Sequence, residues 1–247
     1  KCFFVDFDGV YMNSEVWIND HYLGKRPNGY IGFRYDITPY LRFDERENVI
    51  AVRVDNSAQP NSRWYSGSGI YRNVWLTKVN PLHIDHWGTF VTSEVLNDHA
   101  KVSIENTIRN NSKTDADFHV EVELLDRHNK KIGNAESEEM TVKAGQITKV
   151  TLQSNVPNPD LWSPQNPALY KAVTKVFEGK KLVDRYETAF GIRSFHFSSD
   201  KGFFLNGKPL KINGVCMHHD LGALGAAVNY RAIQRQMEIM KGMGVNA

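Results

Sequence analysis

The chain has 247 residues, 41% hydrophobic and 23% charged, enough apolar material for one large core or two medium ones. With 30 basic and 28 acidic residues interspersed, the formal charge of +2 excludes an electrostatic nucleic-acid footprint and a polybasic membrane anchor. No apolar run approaches the ~20 residues of a membrane span, and two distant cysteines, Cys2 and Cys216, exclude a disulfide framework.

Residues 1–79 read as all-β. The opening KCFFVDFDGV reads as a strand already in progress rather than as a signal peptide. VWINDHYLG (16–24) carries an Asn-Asp pair between two short apolar segments, and both residues tolerate positive φ, so a hairpin is expected there. Strand IGFRYD is broken by Asp36-Ile37-Thr38 and Pro39. ENVIAVRVDN (47–56) alternates imperfectly and closes on Asp55-Asn56. NVWLTKV resumes a strand, with Val74 and Leu76 on one face and Trp75 on the other, before Pro81 marks a domain boundary.

Residues 80–193 alternate more cleanly. Phe118, Val120, Val122 and Leu124 share one face of FHVEVELLD with polar residues opposite, the pattern of an antiparallel sheet with one wet side. Further strand pairs are expected around Ala144-Gly145-Gln146 and around Glu178-Gly179, with a solvated hairpin end over 126–139. Turn signals every 8–12 residues, roughly, fit a sandwich of about seven strands.

From 194 onward the period changes. FFLNGKPLK predicts a hairpin around Asn206-Gly207, and LKINGVCMHHD a buried strand ending in polar residues. In NYRAIQRQMEIMKGMG, residues Ile233, Met237 and Met240 fall at helical spacing, with Asn229 as N-cap and Gly242 or Gly244 at the end. Val245-Asn246-Ala247 would begin another strand. Strand, helix and strand onset make the opening unit of a parallel sheet or (β/α)8 barrel, and one such unit falls far short of the ~250 residues a closed barrel needs. The chain is therefore expected to be a piece of something longer.

Two stretches could carry chemistry. RWYSGSGIYR (63–72) has the glycines of a phosphate loop, but a strand follows it where a phosphate cradle needs a helix. Flanking Arg63, Trp64, Tyr65 and Tyr71 are too bulky for a linker, which leaves an ordered loop at a sheet edge. There Arg63 either holds a carboxylate at a structural corner or meets a ligand. His218-His219-Asp220 ends the predicted strand of the βα unit; His218 and Asp220 share a face, at the end of the strand where α/β barrels place their active sites. A polar strand end with no ligand is the alternative. No third ligand lies at zinc spacing, so no metal site is expected. The Pro-flanked Trp162 in LWSPQNPALY is expected to pack on its own sandwich.

Taken together, FDGV (7–10), VWINDHYLG, SRWYSGSGIYRNVWL, LWSPQNPALY, FGIRSF, FFLNGKPLKINGV and the MHHD end resemble glycoside hydrolase family 2, the β-galactosidase, β-glucuronidase and β-mannosidase group. The pieces follow the family's order across essentially the whole chain. The resemblance implies a mainly β fold: a partial jelly-roll sugar-binding domain (1–79), an immunoglobulin-like β-sandwich (80–193), and the first βα unit of a truncated (β/α)8 barrel (194–247). It implies a retaining exo-β-glycosidase, with the SRWYSGSGIYR loop tilting the substrate toward terminal β-D-galactosides; β-glucuronidase or β-mannosidase activity, or a non-catalytic carbohydrate-binding multi-β protein, are the alternatives.

It also implies that both catalytic glutamates lie after Ala247, so no catalytic residue is expected here and this piece alone would be inactive. Substrate positioning is what carries over: Arg63 as a fork donor to sugar hydroxyls, Trp64 and Tyr65 as an apolar wall, and His218 and Asp220 lining the same subsite. Some members hold the sugar with an Asp in this loop, where Arg63 is a departure. No cofactor is implied for this piece, with Mg or Na an option for the full-length enzyme. The implied partner is a β-linked oligosaccharide or glycoside, with no nucleic acid, no membrane, and homo-oligomerisation open. A bacterial periplasmic or secreted location is favoured over a cytoplasmic one.

Overall fold

Where alternation is clean, strands form and pair through short turns. The computed structural model describes residues 1–58, 66–218 and 220–247. Two units result: Lys1–Lys78 with Asn213–Ala247, and Val79–Ile212.

In the first unit the strands are β1 (Cys2–Phe7), β2 (Val10–Tyr11), β3 (Ser14–Ile18), β4 (His21–Arg26), β5 (Phe33–Asp36), β6 (Ile50–Arg53), β7 (Gly69–Ile70) and β8 (Val74–Val79). They make antiparallel sheets in the orders β5-β1-β8 and β4-β3-β6, with β2 and β7 as a separate pair. Asn19 and Asp20 take φ of 46° and 70°, so the expected hairpin turns there with the twist two left-handed residues supply. Val5 and Phe7 from one sheet and Val16 and Ile18 from the other are buried in one cluster with Val10, Tyr35 and Ile37. That shared core makes the two sheets the layers of a jelly-roll-type fold. Asp36 Oδ1 accepts from Thr38 N at 2.9 Å, and a 3-10 turn over Thr38–Tyr40 follows the end of β5 as Pro39 predicts. Val74, Trp75 and Leu76 are all exposed, so β8 does not sort its residues by face as the alternation suggested.

The second unit holds β9 (Leu82–Val95), β10 (His99–Asn110), β11 (Ala116–Leu125), β12 (Lys131–Glu136), β13 (Met140–Val142), β14 (Ile147–Pro157), β15 (Tyr170–Glu178) and β16 (Lys181–Phe190). One sheet runs β14-β10-β9 and the other β12-β11-β15-β16, with β13 also pairing β11. Phe118, Val120, Val122 and Leu124 are fully buried against Ala100, Val102, Ile104 and Ile108 of β10, so the two sheets enclose one sandwich core. Residues 131–136, expected to belong to a solvated hairpin end, instead form β12 on β11, while β13 is the strand expected before Ala144-Gly145-Gln146 and also pairs β11. Gly179 turns the β15–β16 hairpin at φ of 56°, whereas Gly145, at φ 70°, links β13 on β11 to β14 on β10, so the strand pair expected around it is divided between the two sheets. A three-stranded ribbon of β17 (Phe195–Ser198), β18 (Gly202–Leu205) and β19 (Lys208–Pro209) follows, turning at Asn206-Gly207 with φ of 51° and 73°.

His83 on β9 is buried, with Nδ1 3.1 Å from the Pro81 carbonyl, which the neutral ring accommodates as donor. Burial pulls its pKa below the ordinary imidazole value; the Pro81 carbonyl and the carboxylates of Asp184 and Asp85 act in the opposite sense and do not win. The unfolded chain therefore takes up the proton first, so stability is full above an unfolded pKa of about 6.5 and falls as pH drops below it toward the folded value. Thermal unfolding should show this loss on moving from about pH 7.5 to 5.5, and His83→Gln should remove part of the slope. A variant with the full parental slope would reassign it to another group.

Helix α1 (Tyr230–Gly242) begins where predicted: the Asn229 side chain accepts from Ala232 N at 3.2 Å. The buried strand expected over LKINGVCMHHD does not form; the described residues 211–218 carry no strand and are exposed. Its start does make the bonds of a parallel bridge, Ala247 N to Asn213 O at 3.3 Å and Val215 N to Ala247 O at 3.2 Å. A parallel strand is buried only when neighbours and helices cover it on both sides, and among the described residues just this one short neighbour is present.

Candidate functional site

The described part of the Ser-Gly-rich loop, Ser66 to Arg72, is ordered by long-range bonds. Gly69 sits at φ 107° in the short ladder between β7 and β2, opposite Tyr11. Ser66 Oγ lies 3.0 Å from the Tyr30 hydroxyl, and Asn56 Nδ2 donates to Ser68 Oγ at 3.0 Å. Tyr71 is the anchor. Its N–H donates to Gly9 O at 3.3 Å and its hydroxyl to Gly29 O at 2.9 Å, while its carbonyl accepts from Val228 N at 2.9 Å. Burial pushes the Tyr71 hydroxyl above its ordinary pKa, with Arg72 pulling weakly the other way, so it stays a proton donor.

Two glycines make room for these rings. A Cβ on Gly9 would stand 2.7 Å from the Tyr71 ring, and one on Gly29 would stand 2.3 Å from Tyr11. Asp8 of the FDGV motif accepts from Trp75 Nε1 at 3.0 Å. This loop is a braced sheet-edge corner, and no helix follows it to provide a phosphate-binding N-terminus.

A groove of roughly 550 Å³ opens between residues 216–218 with Asp220 and Gly222 on one side and helix α1 on the other. His218 and Asp220 line it together with Met217, and Gln236, Ile239 and Met240 form the helical side. Asp220 Oδ1 accepts from Gly222 N at 2.9 Å, so the carboxylate holds a turn at the groove's rim. Among the described residues no third imidazole or carboxylate joins His218 and Asp220 at metal-ligand spacing. Within the first unit the loop is bonded to the segment that leads into α1, through Val228 N to Tyr71 O, while no described loop residue lines the groove.

Arg63, Trp64 and Tyr65 lie outside the described residues, as does His219. Tyr30, Asn56 and Gly29 brace the loop from 36, 12 and 42 positions away, and no local sequence signal marks them. Trp162 packs within the second unit, its ring under the Arg193 guanidinium at 4.9 Å and its backbone bonded to Ile192 and Asn206.

Comparisons with known proteins agree on one group. The profile described as "Glycosyl hydrolases family 2, sugar binding domain" matches residues 3–80, and "Glycosyl hydrolases family 2" matches residues 82–193. A β-galactosidase of Bacteroides ovatus, BoGH2A, is 52% identical over the whole chain, which spans 29% of that protein. The crystal structure of a glycosyl hydrolase family 2 member from Bacteroides cellulosilyticus superposes with a TM-score of 0.93 at 41% identity, covering 99% of this chain and 33% of its own. A Bacteroides uniformis β-glucuronidase superposes at 0.88 with 30% identity, covering all of this chain and 31% of its own. The chain thus spans about a third of the length of the relatives it matches.

Proposed function

Since the chain belongs to glycosyl hydrolases family 2, we propose that it is the sugar-binding and immunoglobulin-like portion of a retaining exo-β-glycosidase that removes terminal β-D-galactose. The observation that supports the galactoside reading is the 52% identity to a β-galactosidase, against 42% to a protein named as a β-glucuronidase in Formosa agariphila and 30% to the B. uniformis β-glucuronidase. Retention needs two carboxylates about 5–5.5 Å apart, one as acid/base and one as nucleophile. In this reading neither is among these residues. The chain's part is to position the sugar: Arg63 donates to ring hydroxyls, Trp64 and Tyr65 wall the apolar sugar face, and His218 and Asp220 line the same subsite. The braced corner Ser66–Arg72 supports this role, because a positioning loop must be held before substrate arrives.

The test is hydrolysis of aryl β-galactosides, β-glucuronides and β-mannosides by the chain alone and by the chain joined to its continuing sequence. Galactoside turnover by the longer protein only is the expected result. Preference for glucuronides or mannosides would overturn the substrate, and sugar binding without any turnover would make it a binding module. Arg63→Ala should raise the barrier behind kcat/KM by about 1.5–3 kcal/mol, a fall of roughly 10- to 150-fold, the loss of one charged hydrogen bond. Unchanged kinetics with a lower melting temperature would return Arg63 to a structural corner.

A further inference from the structure

The outer face of β11 carries a cluster that the sugar reading does not use. With Phe118, Val120 and Val122 turned to the core, alternation sends His119 and Glu121 to the other face. Glu136 of β12 lies directly opposite Glu121 in register. His119 Nε2 is 3.9 Å from Glu136 Oε1 and 4.0 Å from Glu121 Oε1, and the three ligand atoms lie within 4.8 Å of one another. On the other side of the ring, Nδ1 stands 3.4 Å from Glu139 Oε2.

Three features separate this cluster from an ordinary acidic patch. The imidazole is clamped: it stacks on Phe177, its register partner on β15, with centroids 5.0 Å apart and planes 5° from parallel. Its two nitrogens face different carboxylates, so Glu139 can accept the Nδ1 proton and present Nε2 as a lone pair, the arrangement that orients metal-bound histidines. Finally, the neighbouring charges are arranged to leave it negative. Glu123, next along the same face, is held by Lys175 at 3.0 Å and Lys131 at 3.6 Å. Lys175 is the register partner of Glu121 yet reaches to Glu123, and among the described residues no lysine or arginine pairs with Glu121, Glu136 or Glu139.

We infer that His119, Glu121 and Glu136 form a binding site for a divalent ion of the zinc type, with Glu139 orienting the histidine. Ligand distances of about 2.0–2.1 Å put tetrahedral neighbours about 3.3 Å apart, so each histidine–glutamate pair needs to contract by roughly 0.6–0.7 Å. Rotation of the exposed Glu136 and half-buried Glu121 side chains supplies that movement, and mutual repulsion of the carboxylates accounts for the wider spacing without the ion. An imidazole ligand favours zinc over magnesium or calcium, which take all-oxygen shells. Water completes the shell. Bound there, the ion ties edge strand β12 to the centre of its sheet.

The experiment is calorimetric titration of the tag-free, EDTA-treated chain with ZnCl2, paired with thermal unfolding and with MgCl2 as the comparison. One zinc per chain and a rise in melting temperature of about 5 °C near saturation are expected, with no response to magnesium. Glu136→Gln, at an exposed position, and His119→Phe, which keeps the stack on Phe177, should each abolish both signals; Glu139→Gln should weaken binding by about 10- to 100-fold. Absence of zinc binding up to about 1 mM, or binding that survives Glu136→Gln and His119→Phe, would overturn the site. Should His119→Phe fail to fold, Glu136→Gln decides alone.

Discussion

Phe118→Ala should cost the second unit about 3–5 kcal/mol, the largest single loss expected in the chain. Its ring is fully buried near the start of β11, on the face that packs against the opposite sheet. Both neighbours on that face, Ala116 and Val120, are part of the same buried cluster, so little can move in to fill the space. Two contributions add: the lost transfer of an aromatic side chain, and the cavity left between sheets that cannot collapse together. Urea unfolding or calorimetry should show the transition of this unit shifted down by about 10 °C, with Phe118→Leu nearer 1–2 kcal/mol. A shift within ~2 °C of the parent would mean that the sandwich repacks, and that the core is less closely filled than its burial indicates.

The second large effect is expected at Tyr71, where stability and the proposed function are linked. Tyr71→Ala leaves the backbone bonds to Gly9 and Val228 in place but removes the ring that fills the space above Gly9 and the hydroxyl bound to Gly29 O. Loss of the wedge and of one part-buried hydrogen bond should destabilise the first unit by about 2–4 kcal/mol, whereas Tyr71→Phe should cost about 1 kcal/mol. If the proposed sugar-positioning role of Arg63, Trp64 and Tyr65 holds, the same change in the longer protein should lower kcat/KM at least about tenfold, because the adjoining corner is no longer held before substrate binds. Tyr71→Phe should keep most of that activity. If Tyr71→Ala melts lower yet turns over galactosides at the parental rate, the corner is a structural brace and the sugar is held by other residues.

Much of the fold was legible because it rests on local rules. Asn19-Asp20, Gly179 and Asn206-Gly207 all adopt positive φ, a property of the residues themselves, so these hairpins could be placed before any packing was known; Gly145 turns too, but its two strands join different sheets. The buried face of β11 and the Asn229 cap of α1 follow from period and side-chain chemistry in the same way. Short apolar runs misled where burial depends on what comes to cover them. LKINGVCMHHD reads as a buried strand, yet residues 211–218 are exposed with only the start of a parallel partner. Val74, Trp75 and Leu76 are exposed for a related reason, since β8 lies at the edge of its sheet.

The site divides along the same line. Residue type and order alone were enough to show that Ser66–Gly69 is not a phosphate cradle, because the strand that follows it is written in Val74–Val79. They also established the family, through motifs spread along the whole chain. Only the tertiary structure could bring Tyr30 to Ser66, Gly29 to Tyr71 and Glu136 to His119, since strand register and chain crossing set those meetings. A sequence specifies which face each side chain prefers; which side chains share that face across strands is decided when the sheets pair.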